Sequence, residues 1–255
     1  MSVQPVQPVA DARRDLWQFY ATGGFLRRNK VLAQELATLA TEGVPLRRVF
    51  EFAADGSFMA VRALARPELR STVVHWVSSD VSANALRHST WLFRCGGPCL
   101  QHPDRPILVP SAWAKTRGTY MLHANRTRVD VQPVDVNRLA QSVDVHAFDA
   151  FVTISFEHIL DDASFLRALP CGAWFVFSVP NFGRPADAAE LARSCRAGPY
   201  RHECDKHWHT FDNEAQIRGY YDGLLRVRRV HTVPHMGNWT KFVVSGQRVC
   251  VSHAA

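Results

Sequence analysis

No stretch of the 255 residues approaches the roughly 18 consecutive apolar residues of a membrane-spanning helix, so no bilayer span is expected. The opening run, Met1 to Asp15, lacks the basic-then-apolar order of an export signal, and a soluble cytoplasmic protein is expected. No Pro/Gly/Ser-rich linker divides the chain and nothing repeats at a solenoid period, which argues for one principal domain with a sizeable core. Clustered cations are also missing. The net charge of +7 is spread over pairs such as Arg13-Arg14, Arg27-Arg28, Arg47-Arg48 and Arg228-Arg229, interrupted by acids, and Lys is rare beside Arg. Counterion release rewards clustering, so no specific nucleic-acid partner is expected. The six cysteines are scattered through a chain large enough to fold without staples, and reduced thiols are the default. Their one close pair, Cys95-Gly-Gly-Pro-Cys99, matches no zinc spacing.

What is present is an ordinary globular composition, 47% hydrophobic and 21% charged, with an alternating pattern of strands and helices. Apolar residues at Leu16, Phe19, Tyr20, Leu32, Leu36 and Leu39 predict one or two amphipathic helices broken at Gly23-Gly24. Arg48 to Phe52 predicts a strand, Ala53 to Ser57 a tight turn, and Phe58 to Arg66 a helix. The unit repeats as a strand from Thr72 to Val77, a polar turn at Ser78 to Asp80, and a helix capped by Ser82. Two consecutive strand-helix units predict a parallel sheet. Periodicity then fails from Cys95 to about Asn125, a segment read as an insertion or long loop. Further strands are expected at Thr127 to Val134, Phe148 to Ile154, Ala173 to Val179, Leu225 to Val233 and Thr240 to Val251. Helices are expected near Leu139, over Asp161 to Leu169, and over Asn213 to Tyr221.

Open α/β sheets bind ligands beyond the carboxyl ends of their parallel strands. The candidates are therefore Ala53 to Ser57, Ser78 to Asp80, Asp135, Ser155 to His158, Pro180 to Phe182 and Pro234-His235.

The segment Phe148-Asp-Ala-Phe-Val-Thr-Ile-Ser-Phe-Glu-His-Ile-Leu, through Pro170-Cys-Gly172 to Val179-Pro-Asn181, resembles the class I S-adenosylmethionine-dependent methyltransferases of the small-molecule branch. It matches their fourth strand, Glu-His turn, helix, Pro-x-Gly turn and fifth strand. His207-Trp-His-Thr-Phe211 and the last hairpin from Gly237 to Val243 are similar more weakly. The resemblance implies a Rossmann-like, mostly parallel seven-stranded α/β sheet with an antiparallel last strand and helices on both faces. It covers about residues 45 to 245 outside the insertion. A helical lid over residues 1–44 and a methyltransferase domain over 45–255 follow, with the 95–125 insertion shaping the acceptor pocket.

Carried over residue by residue, the resemblance implies that Glu51 and Ala53, Ala54, Asp55 and Gly56 form the acidic, glycine-rich first motif beside the methionine part of S-adenosyl-L-methionine. It implies that Ser79, Asp80 and Val81 close the second strand, with the Asp80 carboxylate on the ribose hydroxyls. Asp135 and Val136 fall near the adenine, and Ser155 and Phe156 line the cofactor and acceptor side. The first motif departs from the family's pattern. Where three glycines are usual, Glu51-Phe-Ala-Ala-Asp-Gly-Ser57 keeps only Gly56. A left-handed Ala53 would cost on the order of 1–2 kcal/mol.

A sulfonium is already activated, so catalysis is chiefly alignment of the acceptor, plus a base if that acceptor is a hydroxyl. Histidine suits the base, which makes His158, His207, His209 and His235 the catalytic candidates. His202 to His209 concentrates possible metal ligands, but its spacing fits no closed four-ligand site, so no metal is assigned. The expected partner is a small hydroxylated acceptor, a sugar first among them, with oligomeric state left open. Two other readings stand beside this one, a degenerate methyltransferase fold that binds without catalysis and an RNA methyltransferase using the basic surface.

Overall fold

The computed structural model describes residues 23–54, 58–83, 85–87, 89, 101–102, 105–106, 113–116, 119–122, 127–156, 159, 161–181, 195–197, 202–204, 208–234 and 240–250. Helix α1 (Gly23–Thr41) begins at the glycine pair that the sequence marks as a break. Leu32, Leu36 and Leu39 recur at helical spacing and are fully buried. The helix ends at Gly43, whose φ of +83° lets its N–H reach Ala40 O at 3.1 Å while Val44 N bonds Leu39 O at 3.0 Å.

Strand β1 (Arg48–Glu51) then leads to α2 (Phe58–Leu64) and α3 (Pro67–Thr72), and β2 (His75–Asp80) follows. This corrects the expected second strand, which was read from Thr72. Thr72 instead closes α3, donating its hydroxyl to Glu68 O at 2.8 Å, and the helix opens with a proline in its first turn. Ser82 does cap the next helical turn, bonding Ala85 N at 3.4 Å.

Among the described residues of the 95–125 segment are four short strands, β3 (Gln101–His102), β4 (Arg105–Pro106), β5 (Trp113–Thr116) and β6 (Thr119–Leu122). After it come β7 (Thr127–Pro133), α4 (Leu139–Ser142), β8 (Ala150–Thr153), α5 (Asp162–Ala168) and β9 (Trp174–Asn181). A small antiparallel sheet follows, of β10 (Cys195–Ala197), β11 (His202–Cys204) and β12 (Trp208–Thr210). Helix α6 (Glu214–Tyr220) and the hairpin β13 (Leu225–Pro234) and β14 (Thr240–Arg248) complete the described elements.

The main sheet runs β13-β14-β9-β8-β1-β2-β7-β6-β5. Strands β9, β8, β1, β2 and β7 are parallel, and β14 enters antiparallel between β13 and β9. The seven expected strands are therefore present. The insertion lengthens the sheet by a hairpin, because β6 pairs antiparallel with β7 and covers backbone groups that would otherwise form an open edge.

Alternation along β1 sends Val49 to the face covered by α1 and α2 and Phe50 to the opposite face. That second face is aromatic. Phe52, Phe156, Phe165, Phe175, Phe177 and Tyr221 stack or meet edge to face there, with centroids 4.5–6.3 Å apart. The buried Asp162 carboxylate joins α5 to α6, accepting from Tyr220 at 2.7 Å and Tyr221 at 3.3 Å. Tyr220→Phe is expected to lower stability by about 1.5 kcal/mol, the worth of a hydrogen bond to a charged group. Urea unfolding of the variant checks it.

The thiol expectation is corrected at one pair. Cys171 and Cys250 form a disulfide, with Cα atoms 5.4 Å apart. Pairing of β14 with β9 brings the two ends together, since Gly172 N donates to Arg248 O at 3.0 Å and Arg248 N to Ala173 O at 2.8 Å. Their separation of 79 residues hides the pair in the sequence.

Candidate functional site

Strand order reverses beside β1. From β1 the sheet continues to β2 and β7 on one side, and to β8 and β9 on the other. Open α/β sheets bind ligands in the crevice at such a switch point, here beyond the carboxyl ends of β1 and β8, where helices on opposite faces lead the chain apart.

The turn after β1 is held from both flanks. Phe52 N donates to Val152 O at 3.1 Å, and Ala54 N donates to Ser79 O at 3.0 Å. Between them Ala53 adopts φ +48°, the sole positive φ at a non-glycine among the described residues. The conditional cost read from the sequence thus applies, because the Cβ of an L-residue crowds the following carbonyl in this conformation. Ala53→Gly is expected to raise stability by about 1 kcal/mol, since relief of this strain exceeds the added freedom of the unfolded chain. The midpoint of urea unfolding, compared with Ala54→Gly, tests this. Asp55 and Gly56 lie outside the described residues, and Ala54 is buried.

Glu51 ends β1 with only 1% of its surface exposed. The parallel register sets Ser78 beside it, and alternation in β2 puts Trp76, Ser78 and Asp80 on one face. Trp76 Nε1 donates to Glu51 Oε2 at 2.9 Å and Ser78 Oγ donates to the same oxygen at 2.6 Å. Oε1 is buried and has no hydrogen-bond partner among the described residues. Burial pushes the carboxyl up to about 7, hydrogen bonds from Ser78 and Trp76 offset part of the rise, and the charge of Asp80 adds to it.

Asp80 closes β2, nearly buried, and its Oδ1 accepts from Ser82 N at 2.8 Å, which fixes the carboxylate at the strand end. Ser79 Oγ donates to Glu51 O at 2.9 Å and joins the two strands. Val81, the next residue, is 76% exposed, an apolar side chain open to any planar group arriving over Asp80. Asp135 lies one strand further on. It caps a single 3-10 turn at Val136–Arg138, accepting from Asn137 N at 3.0 Å, and Val136 packs at the margin of the aromatic core.

Beyond β8, Ser155 N bonds Thr153 Oγ1 at 3.2 Å. Phe156 was expected to line the cofactor and acceptor side, but it is fully buried among Phe165, Phe175 and Phe177, inside the aromatic core. His158, His207 and His235 lie outside the described residues, and His209 is described only as a backbone position of β12 opposite Glu203.

Trp76 and Lys241 were not singled out from the sequence, and Ser78, a strand-end candidate, was named there without its partner. Trp76 and Ser78, the partners of Glu51, are readable only once the β1–β2 register is known. Lys241 is 7% exposed at the start of β14, opposite Pro180 at this same end of the sheet. A lysine two residues from a run of valines reads in sequence as the polar edge of a strand.

No protein-family model matches the chain, and no curated protein sequence does. Solved structures do match. The crystal structure of the CurJ carbon methyltransferase superposes with a TM-score of 0.53 at 13% identity over 87% of this chain, which spans 54% of that one. The 1,6-didemethyltoxoflavin-N1-methyltransferase of Burkholderia thailandensis, bound to 1,6-didemethyltoxoflavin and S-adenosylhomocysteine, gives 0.50 at 13% identity, over 98% of this chain and 94% of that one. The S-adenosylmethionine-dependent methyltransferase SibL gives 0.50 at 14% identity, over 88% and 55%. The chain thus spans about half the length of the first and third of these. It has the class I S-adenosylmethionine-dependent methyltransferase fold.

Proposed function

We propose that the chain binds S-adenosyl-L-methionine in the crevice between β1 and β8 and transfers its methyl group to a small hydroxylated acceptor, a sugar or sugar-containing metabolite first among them. The observation that carries this reading is the pair of carboxylates at adjacent strand ends, Glu51 and Asp80, beside a left-handed turn at Ala53. A fixed carboxylate is a two-oxygen acceptor suited to vicinal hydroxyls, and the buried, unpartnered Glu51 Oε1 suits a cationic ligand. The cofactor supplies an activated methyl sulfonium. The protein's own work is to align and to manage a proton. Asp80 holds the ribose from the β2 side, Val81 offers an apolar surface to the base, and Ala53 and Ala54 bring backbone close to the amino-acid end. The acceptor proton passes to a histidine, with His158, His207, His209 and His235 as the candidates.

The small-molecule neighbour bound to 1,6-didemethyltoxoflavin supports a small acceptor here. Transfer of radiolabelled methyl from the cofactor to a panel of sugars, phenols and amines tests the reading. Label in a hydroxylated acceptor is the expected result. Label in amines alone would replace the proposed acceptor class, and cofactor binding without transfer to any panel member would favour the non-catalytic reading, to which the alanines of the first motif lend weight.

A further inference from the structure

We propose that Glu51 is a proton-linked positioning residue: in the empty protein it holds a proton, and it surrenders that proton to solvent when a ligand bearing an ammonium group enters the crevice. The inference rests on the cofactor reading above and deepens it. A carboxyl group this deeply buried, with one oxygen accepting two hydrogen bonds and the other accepting none, lacks the contacts that would stabilise a full negative charge. Protonated, it carries a donor of its own and a smaller desolvation cost. Ionised, it needs a cation.

The surrounding charges agree. Among the described residues, Asp80 on β2 is the one acid that acts on Glu51, and it opposes ionisation. On the β8 side the neighbour is Val152, which is apolar. The helices over this face carry Arg28 on α1 and Arg62 on α2, and neither is among the groups that shift Glu51. His75, on the same strand as Trp76, is turned to Asp130 at 2.9 Å. With burial holding the carboxyl near 7, the empty site is half protonated at neutral pH. An arriving ammonium reverses the balance by offsetting both carboxylates at once. The proton leaves Glu51 for the buffer, and no bond to the ligand forms or breaks.

Isothermal titration in buffers of different ionisation enthalpy reads the released proton directly. S-adenosylmethionine and S-adenosylhomocysteine both carry the ammonium, whereas 5′-methylthioadenosine carries neither ammonium nor sulfonium. The expected result is release of about half a proton per ligand at pH 7 for the first two, and none for the third. Over the range below 7, affinity for the first two should fall as pH falls, by up to about tenfold per pH unit. Glu51→Gln keeps an oxygen for Trp76 and Ser78, and it should abolish both the release and the slope. Infrared difference spectra of the unaltered protein supply a second measure, a protonated-carboxyl band that disappears on adding the cofactor. Release with S-adenosylmethionine alone would assign the proton to the sulfonium and overturn the ammonium pairing. Binding without release, or release that persists in Glu51→Gln, would overturn the inference and leave the cofactor reading intact. No binding by any of the three at any pH would overturn both.

Discussion

Replacing Glu35 with alanine is expected to cost the fold about 3 kcal/mol, the lower end for removing one partner from a buried ion pair, because Arg229 is 27% exposed and stays paired with Glu42. Glu35 is 2% exposed and sits on the buried face of α1. Its Oε1 accepts from Arg229 Nε at 2.7 Å and Ser245 Oγ at 2.6 Å, and its Oε2 lies 3.0 Å from His231 Nε2. Arg229 extends the network to Glu42, with Nη1 and Nη2 at 2.8 and 3.1 Å, and Arg228 joins the same carboxylate at 2.8 Å. The variant would leave Arg229 Nε and the Ser245 hydroxyl without their shared acceptor, while Glu42 keeps the rest of the guanidinium paired, and a cavity adds to the loss. An exposed ion pair would cost far less, about 0–1 kcal/mol.

The same group predicts a pH dependence. Burial disfavours the Glu35 charge, but hydrogen bonds from Ser245, His231 and Arg229 outweigh it and hold the carboxyl below its ordinary range. A folded-state value below the unfolded one means that the contribution is complete above the unfolded carboxylate range and is lost as pH falls through the folded value. Urea unfolding at neutral pH and under acid conditions is therefore expected to separate the parent from Glu35→Gln at neutral pH and to bring them together in acid. A gap that stays constant with pH would remove the ionised form from the explanation.

If Asp80 holds the ribose as proposed, Asp80→Ala is expected to weaken cofactor binding by about 2 kcal/mol, close to 30-fold, the loss of charge-assisted bonds from the hydroxyls. Asp80 also holds the turn through Ser82 N at 2.8 Å, so some loss of stability is expected beside the loss of affinity. Asp80→Asn separates the two effects. It retains an oxygen for Ser82 and should melt near the parent temperature, while its affinity falls part of the way toward that of alanine. Equal affinity in all three proteins would remove Asp80 from the site.

Legibility in the sequence followed the range of the interactions. The β8, α5 and β9 run was readable because strand alternation, an Asp161 cap bonding Ser164 N at 2.9 Å, and a glycine turn with Gly172 at φ +79° are all local signals. The start of β2 was misread because Thr72, Val73 and Val74 favour strands by side-chain shape, whereas Pro67 and the Glu68 carbonyl commit Thr72 to a helix. The β5–β6 hairpin was missed because its pairing partner β7 lends it order from outside. In the sequence alone, Glu35 is indistinguishable from an ordinary charge on an amphipathic helix. The residues that bury it, Arg229, His231 and Ser245, stand 194, 196 and 210 positions away. At the candidate site the strand-end place of Asp80 and the turn at Ala53 could be named in advance, but the environment of Glu51 could not. It depends on which residue of β2 lies beside the end of β1, and a shift of one residue would replace Ser78 with the oppositely directed Val77.

The central claim is that the crevice between β1 and β8 is a cofactor site. A calorimetric titration of the unaltered protein with S-adenosylmethionine, repeated on Asp80→Ala, tests it most directly. The account predicts saturable binding of one cofactor per chain by the parent protein and binding weakened close to 30-fold in the variant. No heat of binding by the parent protein at millimolar cofactor, with the fold verified by its melting transition, would contradict it.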